Sequence, residues 1–205
     1  MKKNLLLGVA GAAIVAFAAL SGSDSADAGG RQLVKFTKGS MQPVFAGSLG
    51  KGVTNYVLDY KLTNAVSDAV KPAIRLELRT ETGKTFGDVY DAATWRAAKD
   101  ALGRKDDPSS ASAIRGADLA AGAAVDGLAN FGAIDPNADK FDVRVYGLWD
   151  PVFRDRQGRT WHETRVLVLS YSRSGDEYDR QMDPIRLESS KEEIEGDVVQ
   201  LHVAK

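Results

Sequence analysis

Between Ser174 and Arg180 the chain reads SGDEYDR, placing the carboxylates Asp176, Glu177 and Asp179 within four positions. One of only two histidines, His162, stands upstream in the same apolar-rich run, TWHETRVLVLSYSR. Acids so close together could bind a cation, or one could be held neutral by its neighbours and work as a general acid. The same composition also suits a plain turn, because Gly175 permits a reversal and Arg173 and Arg180 can neutralise two of the acids. The run begins where the VLVL stretch stops, so the economical expectation is a polar corner between two strands, with a cation or partner site as the functional alternative.

Other candidate chemistry fails at a required position. Zinc would need His162, His202 and a carboxylate from neighbouring strands, with no HExxH around His162 and no cysteine in the chain. Asp135-Pro-Asn137-Ala-Asp139 opens like a calcium loop and stays a weaker cation candidate than SGDEYDR, because Lys140 stands where the loop needs Gly and Tyr146 where it needs Glu. Ala46–Gly50 lacks the first Gly of a nucleophile elbow, and the LGKG that follows lacks both the first Gly and the Ser or Thr of a phosphate loop. Glycoside chemistry would require converging acids beside a sugar-stacking aromatic ring. Trp95 and Trp161 fall on apolar stripes and read as core; Trp149, next to Asp150-Pro151, is the candidate ligand contact. No catalytic residue and no cofactor is expected.

These residues hang on a chain with a strong period of two. In VTNYVLDYKLTN, Tyr56, Leu58, Tyr60 and Leu62 share a face opposite Asn55, Asp59 and Lys61; Val57 falls on that polar side. PAIRLELRT sets Ile74, Leu76 and Leu78 against Arg75, Glu77 and Arg79, and KFDVRVYG sets Phe141, Val143 and Val145 against Asp142 and Arg144. VVQLHV repeats the alternation near the end, with His202 pointing away from Leu201 and Val203. Leu33–Thr37 and Ile185–Glu188 are shorter candidate strands. One buried and one wet face favours antiparallel pairing. Glu81-Thr-Gly83 and Asp155-Arg-Gln-Gly158 mark hairpins, and Asp135-Pro-Asn137 a further turn. A single helix is predicted in DAATWRAAKDALG, capped by Asp91 and ended by Gly103, with Trp95, Ala98 and Leu102 on one stripe, lying over an end or edge of the sheets. A polar loop, Arg104–Ala113, follows it. The fold class expected is an all-β, immunoglobulin-like antiparallel β-sandwich, with the helix and Ser-rich loop of about 91–113 as an insertion.

The N-terminus supplies the setting. Lys2-Lys3, the apolar run Leu5–Leu20 and the A-x-A of Ala26–Ala28 have the order of a secretory signal peptide over residues 1–28. The run is shorter than the roughly 20 residues that span a bilayer core. Residues 29–205 then form one domain, placed in the periplasm or outside the cell, touching a membrane only if the signal helix stays uncleaved. Lacking cysteine, that domain must fold on its core alone. Its net charge of −1 gives no general attraction to nucleic acid.

Three stretches, YVLDYKLTN, LAAGAAVDGLANFGAIDPNADKFDVRVYGL and YSRSGDEYDRQMDPIRL, resemble exported immunoglobulin-like proteins of planctomycete-type bacteria. That resemblance implies the fold and the exported setting and brings no catalytic residue. The expectation is therefore a non-enzymatic protein that binds or scaffolds a protein or polysaccharide partner of the envelope. A secreted hydrolase working through loop carboxylates and a membrane-tethered surface module are the alternatives.

Overall fold

A computed structural model describes residues 30–48, 51–134, 138–174, 177–180 and 186–194. Strands take 52% of the described residues and helices 11%, in two open sheets, so the all-β expectation holds. The first sheet has three strands in the order β1 (Val34–Ser48), β2 (Lys51–Asn64), β5 (Ala124–Asn130). The second has seven: β10 (Arg186–Ile194), β8 (Thr160–Ser174), β6 (Lys140–Tyr146), β3 (Arg75–Thr80) and β4 (Thr85–Gly87) in order, with β7 (Val152–Arg154) and β9 (Glu177–Arg180) also paired to β8. Every strand pairing is antiparallel.

The alternation read from the sequence becomes burial. Leu58, Tyr60 and Leu62 from β2, Leu76 and Leu78 from β3, Val143 and Val145 from β6, and Leu169 and Tyr171 from β8 belong to one cluster. The two sheets therefore close over a common interior. Tyr60 stacks on Phe36 with ring centroids 5.3 Å apart, and its cross-strand partner is Gly127. A Cβ at Gly127 would run into the Tyr60 ring, so the smallest residue makes room for the largest on its facing strand. β1 carries one extra residue between Lys38 and Met41 relative to β2, a β-bulge at the Lys38-Gly39-Ser40 stretch.

β8 organises the larger sheet. One of its edges pairs with β7 and then β6, the other with β10 and then β9. Its VLVL centre is apolar on both faces because both are covered: Leu167 and Leu169 face the interior, while Val166 and Val168 are buried on the outer side. On that side Arg144 is the cross-strand partner of Val168, and its side chain is only 18% exposed.

The helix falls where predicted, as α1 (Ala92–Ala101), with Asp91 accepting from the Thr94 N–H and Gly103 at φ +61 just beyond the Leu102 C-cap. Its placement corrects the expectation. α1 lies on the outer face of the three-stranded sheet, where Trp95 and Ala98 pack on Val44, Val57 and Leu128. Val57, the apolar residue on the polar side of β2, is the reason: it and Leu128 need cover. The expectation of one helix is corrected as well, since a short second helix, α2 (Ala111–Arg115), forms where a loop was expected. Ser110 caps it through the Ala113 N–H and Ile114 anchors it in the core. With Ala111 and Ile114 as its two buried positions, a five-residue helix is too short to show a periodicity. β1 and β10 are longer than expected, and VVQLHV with His202 lies outside the described residues, as do residues 1–28.

Candidate functional site

The acidic corner resolves into a hairpin. Ser174 pairs with Glu177, and β9 returns along β8 so that Ser172 faces Asp179. Asp176 and Gly175 lie outside the described residues, and the side chains of Glu177 and Asp179 are likewise outside the description. His162 sits near the opposite end of β8, between Val152 and Glu192 of the flanking strands. At about 3.3 Å per residue, the intervening strand holds it roughly 40 Å from Ser174. The hairpin and the histidine are therefore not parts of one site.

The remaining candidates also separate. Asp135 and Asn137 lie outside the described residues; Asp139 is exposed just before β6. Among the described residues no group of three His, Asp or Glu side chains is arranged to hold a metal ion. Trp149 is half-buried, its backbone bridged to Gln32 and its ring packed against the main core. Trp161 departs from the core reading. Its indole N–H donates to Asp155 Oδ2 at 3.0 Å and the Arg159 guanidinium lies over its ring at 5.2 Å, so it buttresses the β7–β8 turn.

Side chains do converge in a cleft of about 240 Å³ where β3 and β4 meet α2. Arg75 and Glu77 come from the outward face of β3, Asp88 and Tyr90 from the segment after β4, and Ser110 and Arg115 from α2 and its cap. Tyr90 is 60% exposed, with its ring 4.9 Å from that of the buried Trp95, which steadies it. Asp88 Oδ1 accepts from the Asn130 N–H at 2.9 Å. Burial pushes the Asp88 carboxyl above its ordinary range, against the pull of the Asn130 and Ala111 amides and the charge of Arg115. Behind it the Tyr60 hydroxyl is buried without a hydrogen-bond partner among the described residues, and burial together with the Asp88 charge drives its pKa up.

Glu77 is held from two sides, by Arg75 Nη1 at 2.5 Å and by the Tyr146 hydroxyl at 3.1 Å. Tyr146 in turn accepts from Arg144 Nε at 3.1 Å, and Arg144 Nη2 donates to Glu188 at 2.6 Å. One chain of polar contacts thus crosses the outer face from β3 to β10.

Sequence reasoning missed this cleft. The Arg75-Glu77-Arg79 alternation marks a wet face, but a wet face alone does not mark a site. The available signal was Val89-Tyr90, two large apolar residues directly before the Asp91 cap. Both are 60% exposed, where a strand continuing from Thr85 would have buried one of them. Compared with protein-family models, curated proteins and solved structures, the chain matches none.

Proposed function

We propose that the protein is an exported binding module with an immunoglobulin-like arrangement of its two sheets, and that the Tyr90 cleft holds a neutral saccharide unit of an envelope or extracellular polymer. The carrying observation is the exposed Tyr90 ring at the mouth of a cleft that also presents Asp88, Glu77, Arg75, Arg115 and Ser110. A sugar offers an apolar C–H face and a rim of hydroxyls. An exposed, steadied aromatic ring suits the first, and planar carboxylates and guanidinium groups suit the second. Two acids and two arginines line the cleft, so it presents no excess charge and favours an uncharged polar ligand. Export rests on the signal-peptide pattern of residues 1–28, and the immunoglobulin-like reading on the resemblance together with the antiparallel sheets.

Titration of the purified protein with neutral oligosaccharides, followed by calorimetry, tests the reading. Tyr90→Ala is expected to weaken binding at least about tenfold, equivalent to about 1.4 kcal/mol, with an unchanged melting temperature. Equal binding by wild type and variant would sink it. A hydrolase reading draws on one observation, the raised carboxyl of Asp88 in the same cleft as Glu77. The same sugars incubated with the protein and assayed for new reducing ends discriminate the two: release that Asp88→Asn abolishes makes the protein an enzyme.

A further inference from the structure

A second cleft, of about 330 Å³, opens where β3, β6, β8 and β10 present their outward side chains. The register sets out its geometry. Arg79, Asp142 and Ser170 form one cross-strand row; Glu77, Arg144, Val168 and Arg186 form the next. Among the described residues, four basic side chains line the cleft, Arg79, Lys140, Arg144 and Arg186, against two acids, Glu81 and Asp142. Asp142 is already engaged, accepting from Ser170 Oγ at 2.6 Å and from Arg186 Nη2 at 2.8 Å. Arg144 is positioned by Tyr146 and Glu188 and spends only Nε and Nη2 on them. A guanidinium carries five N–H donors, so both arginines retain donors after these contacts. Arg79 and Lys140 enter no ion pair among the described residues. Among the described residues the cleft therefore combines two pre-positioned arginines, two cations without a carboxylate partner and a net positive lining. This is the composition that binds a multiply charged oxygen anion.

We infer that this cleft is a binding site for a tetrahedral oxyanion, a phosphate or sulfate group, either free or esterified on a polymer. The site is separate in its chemistry from the Tyr90 cleft, whose charges balance, and it stands if the saccharide reading fails. Arg79 and Lys140 supply charge at the mouth, and Arg144 and Arg186 supply directed N–H donors. Glu81, exposed at the rim, opposes binding and sets a limit on affinity.

Calorimetric titration of the purified protein at low ionic strength with inorganic phosphate, dextran sulfate and neutral dextran tests the inference. Saturable binding of phosphate or dextran sulfate is expected, undiminished in Tyr90→Ala and not displaced by neutral dextran, whose proposed site is the Tyr90 cleft. Phosphate alone identifies a free ion as the ligand, dextran sulfate alone a polymer-borne one. The double variant Arg79→Ala/Lys140→Ala is expected to lose at least about tenfold in affinity, and Glu81→Gln to gain about threefold, because removing a nearby like charge favours an anion. A control, Arg96→Ala/Lys105→Ala, removes the same charge from exposed positions outside the cleft and should bind as wild type. The inference is overturned if neither anion binds saturably, if the Arg79/Lys140 variant binds as wild type, or if the control loses as much as it does.

Discussion

Glu163 concentrates the residue-scale physics of this fold. Its side chain is 1% exposed, yet it is a carboxylate on the inward side of β8. Oε2 accepts from the Gly30 N–H at 2.9 Å, and Arg165 Nε lies 2.9 Å from Oε1 but off the line of a hydrogen bond, so that pair is electrostatic. Gly30 has no alternative there, since a Cβ would strike the Asp150 carbonyl. Together these contacts fasten the first described residues against Leu148–Asp150. Removing one partner of a buried charge costs more than the pair contributes, because the other is left uncompensated. Glu163→Leu is accordingly expected to destabilise by about 3 kcal/mol or more, and Glu163→Gln, which keeps an acceptor for Gly30, by clearly less; denaturant titration of both checks the order. Asp155 provides the pH counterpart. What shielding it has raises its carboxyl, but the Trp161 indole, the Arg159 amide and the Arg159 guanidinium outweigh this and bring it down to about 2. A carboxylate lowered by folding stabilises the fold above its unfolded value, near pH 3.9, and loses that contribution as pH falls toward 2. Comparing wild type with Asp155→Asn between pH 5 and 2 should show the stability difference shrinking as the solution is acidified. A constant difference across that range would exclude the effect.

Among the elements, α1 is the clearest case of sequence dictating structure. Asp91 caps the first turn, and accepting from Thr94 lowers its carboxyl below the ordinary range. Asp91→Ala should therefore cost about 1 kcal/mol, read as a lowered denaturation midpoint with an unchanged slope. Trp95 reaches further, packing over Val57 and Leu128 and donating its indole N–H to the Pro108 carbonyl at 3.1 Å. That bond orders the loop leading to α2, and Arg104 extends the connection by pairing with Asp59 and Asp126 on the sheet beneath. Period and caps made α1 and strands β2, β3 and β6 readable in advance, because each repeats a one-sided pattern over several residues. α2 was not readable, with Ile114 and Ala111 as its buried contacts and one turn of length. The far reach of β1 and β10 was equally hidden. β10, Arg186–Ile194, is nearly all polar and takes its strand form from pairing with β8 rather than from any alternation of its own. The Tyr90 cleft is hidden in the sequence for a related reason. Its residues come from β3, the β4 exit and α2, which only the tertiary fold brings together.

At the scale of the molecule, one interior serves both sheets while a second, smaller cluster lies under α1, so cooperativity is the property to measure. Val44, Val57 and Leu128 of the smaller cluster belong to the same strands whose other faces supply Met41, Leu58 and Ala129 to the main core. The helix layer thus cannot come away without baring the back of a sheet whose front is still packed, and sheet and helix should unfold together. The tryptophans report on the parts separately: Trp95 under α1, Trp149 against the main core and Trp161 at the β7–β8 turn. Variants retaining one tryptophan each should show coincident midpoints in denaturant, matching the loss of β-sheet circular dichroism. Leu58→Ala in the small sheet and Leu76→Ala in the large one should each move that single transition by about 2–5 kcal/mol, because the two positions fill the same interior. An earlier Trp95 transition, unmoved by Leu76→Ala, would instead make the helix and the three-stranded sheet an independent unit. The Tyr90 cleft, which takes residues from β3 and from the segment leading into α1, would then sit on a boundary that can open rather than on a fixed surface.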